Sequence, residues 1–326
     1  MSLKTLLNRW RVDGYIVALM GMVLLASLLP ARGEAAVWAH WLTSFVIGLL
    51  FFLYGARLSY EAVVQGITHW RLQLLVLAGT FVIFPALGLG LARIAAPFIG
   101  PDLSFGLIFL AMLPSTVQSS IAFTALAGGN VAAALCAASL SNLLGIIITP
   151  LLVGAFLLSE AGGVSTAAIR DIILQLFLPF AAGQVARHWI KDWIAGHRHL
   201  LKFVDQGSIL LVVYTAFSAG VVGGIWGKLD MANLAMLLLI NMFLLAIILT
   251  AMTILARRMG FSRADEITIV FCGSKKSLAS GIPMANVLFP AHAAGLIVLP
   301  LMLFHQMQLM VCAALARRYA RRGDET

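Results

Sequence analysis

The sequence predicts an all-α membrane protein with ten transmembrane helices arranged as two inverted five-helix repeats. Three observations predict it. The chain is 61% hydrophobic and only 11% charged. Its apolar residues gather into ten runs of membrane-spanning length, and its basic residues fall mainly on one side of those runs. Mean hydropathy is +0.99. A soluble domain carries about 25% charged residues, so a water-facing surface could not be built from this composition. Lipid accepts apolar side chains, and a helix satisfies its own backbone there.

A bilayer core needs roughly 20 apolar residues in helical form. The runs are Gly14–Pro30, Val37–Ala56, Leu72–Ala96, Leu103–Leu126, Val131–Leu158, Ile169–Val185, Gly207–Ile225, Ala232–Leu255, Ile267–Leu288 and Ala293–Leu315. Lys4, Arg9 and Arg11 precede the first run, as in a signal peptide. That run is longer than a signal peptide's apolar region and more spans follow, so a retained first helix is expected. With the N-terminus in the cytoplasm, 16 of the 22 Lys and Arg residues fall on the cytoplasmic side. Arg32, Arg93, Arg170 and Lys228 fall outside, and Lys275 and Lys276 fall within the ninth run. Such a bias predicts a multi-pass protein of the cytoplasmic (inner) membrane with both termini cytoplasmic.

The net charge of +9 lies in short clusters between apolar runs, with no basic stripe interleaved with aromatics. That pattern argues against a nucleic-acid partner. Cys136, Cys272 and Cys312 all lie in apolar stretches, without a CxxC pair or Cys/His cluster. They read as buried apolar residues, and neither a disulfide, a metal site nor a cofactor is expected.

The longest polar stretch, Arg187 to Asp205, divides five spans from five. An odd number of spans per half turns the second half upside down, which is the layout of an inverted repeat. Each half has an interrupted fourth span. In the first it is Pro114-Ser115-Thr116-Val117-Gln118-Ser119-Ser120, and in the second Gly273-Ser274-Lys275-Lys276-Ser277, followed by Gly281 and Pro283. Proline removes a backbone donor and glycine weakens a helix, so both segments are candidates for unwinding. Paired broken helices at matching places point to a transporter's binding site.

Lys275 and Lys276 are the most informative residues. An ammonium at mid-membrane costs several kcal/mol, and no Asp or Glu lies in the central part of any span. Asp265 and Glu266 are about three helical turns away. Adjacent helical residues diverge by about 100°, so the two amines are expected to face different surroundings. Together with Ser274 and Ser277 they form one half of a candidate substrate- or ion-binding site; Thr116, Gln118, Ser119 and Ser120 form the other. The bland reading of these hydroxyls is back-bonding to their own helix. His305 and Gln306 join the candidates because histidine titrates near neutral pH. For Asn142, Asn241 and Gln308, interhelical hydrogen bonding is the default. Gly128-Gly129-Asn130 reads as a tight turn between the fourth and fifth spans.

The segment from Pro114 through Pro150, with Gly129-Asn130-Val131-Ala132, and the segment Gly273-Ser274-Lys275-Lys276-Ser277-Leu278-Ala279 resemble the bile acid:sodium symporter superfamily, closest to its bacterial sodium–bile-acid-symporter-like branch. The resemblance implies that the broken fourth and ninth helices cross in a core domain beside a panel domain. Residues 1–62 and 161–228 would form the panel, and residues 63–160 and 229–326 the core, with substrate bound between them. It further implies secondary active transport of organic anions, bile-acid-like or small carboxylates, by alternating access.

The departures from the family pattern matter as much. Sodium-coupled members carry an acidic residue where this chain has Phe271, a glutamine at Lys275, and hydroxyl residues at positions matching Ala134 and Ala138. Alanine, phenylalanine and lysine side chains offer sodium no oxygen, so the family's sodium sites are expected to be dismantled. Lys275 is expected to act as a tethered cation in their place or as a proton-coupling group. Proton coupling, uniport and exchange all stay open on the sequence alone. Two other readings compete: a non-transporting regulator of ion homeostasis, and an intramembrane hydrolase built on a Ser–Lys pair.

Overall fold

The computed structural model describes residues 14–57, 69–158, 170, 173–228 and 230–323. Lys4, Arg9 and Arg11, and the expected boundaries at 62/63 and 160/161, lie outside the described residues. The described residues are helical apart from short turns and breaks, with no strand among them.

In chain order the helices are α1 (Gly14–Leu28), α2 (Glu34–Arg57), α3 (Trp70–Ala78), α4 (Phe84–Ile99), α5 (Pro101–Met112), α6 (Gln118–Leu126) and α7 (Val131–Val153). They continue with α8 (Leu178–Gly196), α9 (Arg198–Val222), the short α10 (Ile225–Lys228), α11 (Met231–Arg258), α12 (Arg263–Gly273), α13 (Leu278–Leu288) and α14 (Ala291–Gly323). A π-helical turn at Gly79–Ile83 joins α3 to α4. Two more, Gly154–Leu158 and Ile173–Phe177, follow α7 and precede α8.

Among the described residues, six helical stretches are long and apolar enough to cross a membrane: Glu34–Arg57, Trp70–Ile99, Val131–Leu157, His199–Val222, Met231–Arg258 and Ala291–Arg321. They expose large apolar side chains such as Phe45, Val82, Ile94, Leu151 and Leu239. Exposed faces of this kind suit lipid. This is a multi-pass α-helical membrane protein.

The polar stretch from Arg187 to Asp205 turns out to be helical, apart from a turn at His197. Charged residues alternate there with apolar ones. Ile194 and Leu201 are buried against Leu53 and Ala56, whereas Trp189 and Lys191 stay exposed. An amphipathic segment can continue a helix beyond the apolar run.

The chain divides into two compact units. The first comprises Met1–Arg57, Asp171–Lys228 and Ile282–Gly295. Within it, α2 and α8 approach until their backbones touch. A Cβ placed on Gly55 would stand 2.1 Å from the Phe180 carbonyl oxygen, and one on Gly183 would stand 2.0 Å from that of Phe52. Small residues let membrane helices pack this closely. Arg57 and Asp205 form an ion pair, and Thr43 shares a 2.8 Å hydrogen bond with Thr215.

The second unit comprises Leu58–Arg170, Leu229–Gly281 and Leu296–Thr326. The turn before α7 needs Gly128, whose φ is +73°. Asn130 then caps α7 by accepting from the Ala133 N–H at 3.0 Å. Its side-chain amide also donates to Asp265 at 3.0 Å, tying α7 to the start of α12. Ser262 caps α12, and Asp265 and Glu266 occupy its first turn, where the helix dipole favours negative charge. The Arg257 guanidinium donates two 3.0 Å hydrogen bonds to Glu266, which also accepts from the Tyr319 hydroxyl.

Candidate functional site at the two helix breaks

The fourth and ninth sequence runs are both interrupted. Helix α5 ends at Met112, Leu113 is extended at φ −74° and ψ 156°, and α6 begins at Gln118. Helix α12 ends at Gly273, and α13 begins at Leu278. The four half-helices hold 12, 9, 11 and 11 residues in chain order. At about 1.5 Å per residue, none reaches across a hydrocarbon core of roughly 30 Å by itself.

Breaking a helix frees carbonyls that the apolar interior cannot solvate. Side chains and the facing break satisfy them here. Thr149 donates to the Met112 carbonyl at 2.8 Å, the Ser277 N–H to that of Pro114 at 2.9 Å, and Asn142 to that of Ser115 at 2.6 Å. In return, the hydroxyls of Ser115 and Ser120 donate to the carbonyls of Cys272 and Phe271, at 2.6 and 3.1 Å. Ser141 accepts from the Ser115 N–H, and Ser280 donates to Asn142. The two interruptions therefore lie against each other and complete each other's hydrogen bonding.

Lys276 belongs to this junction. Its Nζ donates to the carbonyls of Thr80, Ala111 and Leu113 at 2.8, 2.7 and 2.7 Å, and lies 4.2 Å from the centre of the Phe84 ring. Gln308 clamps its backbone. The amide Oε1 accepts from the Lys276 N–H and Nε2 donates to the Lys276 carbonyl, both at 2.9 Å. Nε2 also lies 2.8 Å from His305 Nδ1, which must accept there.

Lys275 goes elsewhere. It is fully buried, yet its Nζ has no hydrogen-bond partner among the described residues. It sits over aromatic faces, 4.4 Å from the Phe123 ring centre and 5.5 Å from that of Phe271. Carbonyl oxygens thus surround the Lys276 amine, whereas the Lys275 amine has aromatic neighbours. Among the described residues no serine hydrogen-bonds the Lys275 amine.

The other expected residues divide. Thr116 shares hydrogen bonds with Ser119 and Ser120, at 2.7 and 3.1 Å, and through Ser120 reaches α12. Ser277 caps α13 by accepting from the Ser280 N–H at 3.2 Å, while Ser274 back-bonds to Val270 in its own helix. Gln118 is exposed. Gln306 is half-buried, its Oε1 has no hydrogen-bond partner among the described residues, and no hydrogen bond ties it to the breaks.

Gln308 was expected only as an ordinary interhelical bond. Its sequence signal was the four-residue spacing of Phe304, Gln308 and Cys312, and the structure buries all three fully. Thr80 carried no such signal, because the π-helical turn that holds it leaves no mark in an apolar run. Gln308→Leu removes both partners of the Lys276 backbone. Each unpaired buried group costs about 1–3 kcal/mol, so a fall of about 2–6 kcal/mol in stability is expected. Gln308→Glu, which keeps the acceptor alone, should fall between. Thermal melting of the purified variants in detergent checks the order.

Residues 13–321 match the model of the SBF-like CPA transporter family. The chain is 57% identical to "Uncharacterized protein PA2026" of Pseudomonas aeruginosa over 318 residues, which is 97% of this chain and 96% of that protein. It is 52% identical to "Putative symporter YfeH" of Escherichia coli over 314 residues, 96% of this chain and 95% of that one. It is 30% identical to "Sodium/bile acid cotransporter 7-B" of Xenopus laevis over 317 residues, 95% of this chain and 92% of that one.

Proposed function

Because this chain belongs to the SBF-like CPA transporter family, a family of transporters and not of enzymes, we propose that it is a secondary active transporter of organic anions. The cargo is bile-acid-like or a small carboxylate, and Lys275 is the coupling group. The observation that carries this reading is the Lys275 amine, buried at a helix break with aromatic neighbours and no hydrogen-bond partner among the described residues. An ionisable group inside a membrane is costly and is retained for function. This amine can take up and release a proton, or meet an anion, without first breaking a hydrogen bond.

The reading does without the family's sodium sites. Ala134, Ala138 and Phe271 are buried and bring no side-chain oxygen. Ten spans in two inverted repeats, a panel and a core, alternating access, and both termini in the inner-membrane cytoplasmic face complete the proposal. The matching interruptions in the two halves and the 16-to-4 distribution of basic residues support it. Thr116, Ser119 and Ser120, which gather beside α12, are proposed to contribute neutral hydrogen bonds to the cargo.

Proteoliposome uptake tests it. A panel of organic anions is first screened for thermal stabilisation, since a bound ligand stabilises the folded protein. Uptake of the best anion should follow an inward proton gradient and continue when choline replaces sodium. A sodium-dependent rate that survives Lys275→Ala would sink the coupling scheme. No flux for any stabilising anion would favour the regulator.

A further inference from the structure

We infer that Lys276 fills a built-in monovalent-cation site, and that this site would take a free alkylammonium ion once the side chain is cut away. Carbonyls of neutral peptide groups line the seat, and each is available for a reason set by the backbone. Ala111 and Leu113 stand at the end of α5, where the last carbonyls of a helix have no intrahelical partner and the helix dipole is negative. Thr80 lies in the π-helical turn Gly79–Ile83, where the ordinary bonding register is broken. The Phe84 ring adds its negative face at 4.2 Å.

The geometry specifies the charge. Three acceptors lie within 2.8 Å of one nitrogen. An ammonium has three N–H donors for them, whereas a neutral amine has two and would aim its lone pair at the third oxygen. Peptide dipoles alone hold a monovalent cation, as rings of carbonyls do in ion channels. Three short N–H bonds favour an ammonium over a bare metal ion, which needs more oxygens. The cation is covalently part of the chain, so the junction of the breaks assembles without an ion from solution. This inference is independent of what the protein carries.

Lys276→Ala removes three carbons and the amine, which together are the propylammonium ion. The test is thermal melting of the purified variant, the wild type and Lys275→Ala in detergent, with propylammonium chloride, ammonium chloride, choline chloride or neutral 1-propanol. Lys276→Ala should melt below wild type in choline and gain several degrees, saturably, in propylammonium. Ammonium should give a smaller gain and propanol none, and the two other proteins should not respond. Equal responses to propanol and propylammonium would reduce the site to an apolar hole and overturn the inference. So would an equal response from Lys275→Ala. If Lys276→Ala is recovered folded only when propylammonium is present throughout purification, the result is positive; loss in every medium counts against the seat. Lys276→Met fills the volume without donors and should melt below wild type, indifferent to the salt. A midpoint equal to wild type would overturn the need for a cation.

Discussion

Lys275→Met is expected to cut gradient-driven uptake steeply while raising the melting midpoint of the purified protein. The side chains are similar in length, so the space beside Phe123 and Phe271 stays filled, and methionine sulfur makes favourable contacts with aromatic rings. What disappears is a buried polar group with no hydrogen-bond partner among the described residues. Burying such a group costs about 1–3 kcal/mol by mutational measures, and methionine removes that cost. Activity and stability therefore move in opposite directions, the usual sign of a residue kept for function at the expense of the fold. Uptake at saturating anion should fall by about 100-fold, the scale of losing a proton-transfer group. Lys276→Met is the contrasting case, because it strips three carbonyls of their donor and should lower the midpoint. A stabilised Lys275→Met that still transports at the wild-type rate would refute the assignment of the coupling group.

Gly183→Val and Gly55→Val are expected to yield no folded protein. A Cβ at either position would stand 2.0–2.1 Å from a backbone carbonyl of the facing helix, Phe52 for Gly183 and Phe180 for Gly55. Backbone cannot swing aside as a side chain can, so α2 and α8 must separate and the contact between them is lost. Overpacking ordinarily costs about 1–3 kcal/mol. A collision with backbone on both sides of one interface exceeds that and passes the roughly 4–5 kcal/mol that marks exceptional mutations. Gly21→Ala and Gly90→Ala are the controls, since a Cβ there meets nothing within 4 Å. Size-exclusion profiles of detergent extracts should show a monodisperse peak for the controls and aggregate or nothing for the valine variants. Monodisperse Gly183→Val with the wild-type midpoint would contradict the packing of these two helices.

Much of the candidate site was legible in one dimension. Pro114 removes a donor and Gly273 lowers helix preference, and the helices break within a few residues of both. Lys275 and Lys276 drew notice because charge is rare in an apolar run, and the turn at Gly128 was marked by its glycines. The division of labour between the lysines was not legible. One residue of displacement along an irregular segment sends one amine to carbonyls and the other to aromatic faces. Which carbonyls are free depends on where α5 ends and where the π-helical turn lies. Gln308 outranked Gln306 for a similar reason: only Gln308 shares the buried stripe of α14 with Phe304 and Cys312.

The amino-acid sequence by itself determined that this protein is helical and lives in a membrane, and where two of its helices must fail, because composition, apolar run length and the chemistry of proline and glycine are local properties of the chain. Tertiary structure alone decided which lysine is paired, which glutamine clamps it and which glycines bring α2 and α8 into backbone contact. Those outcomes depend on groups far apart in sequence, such as Thr80 and Lys276, meeting at hydrogen-bond distance. A bond that short is set by packing to a few tenths of an ångström, and no periodicity along the chain encodes it.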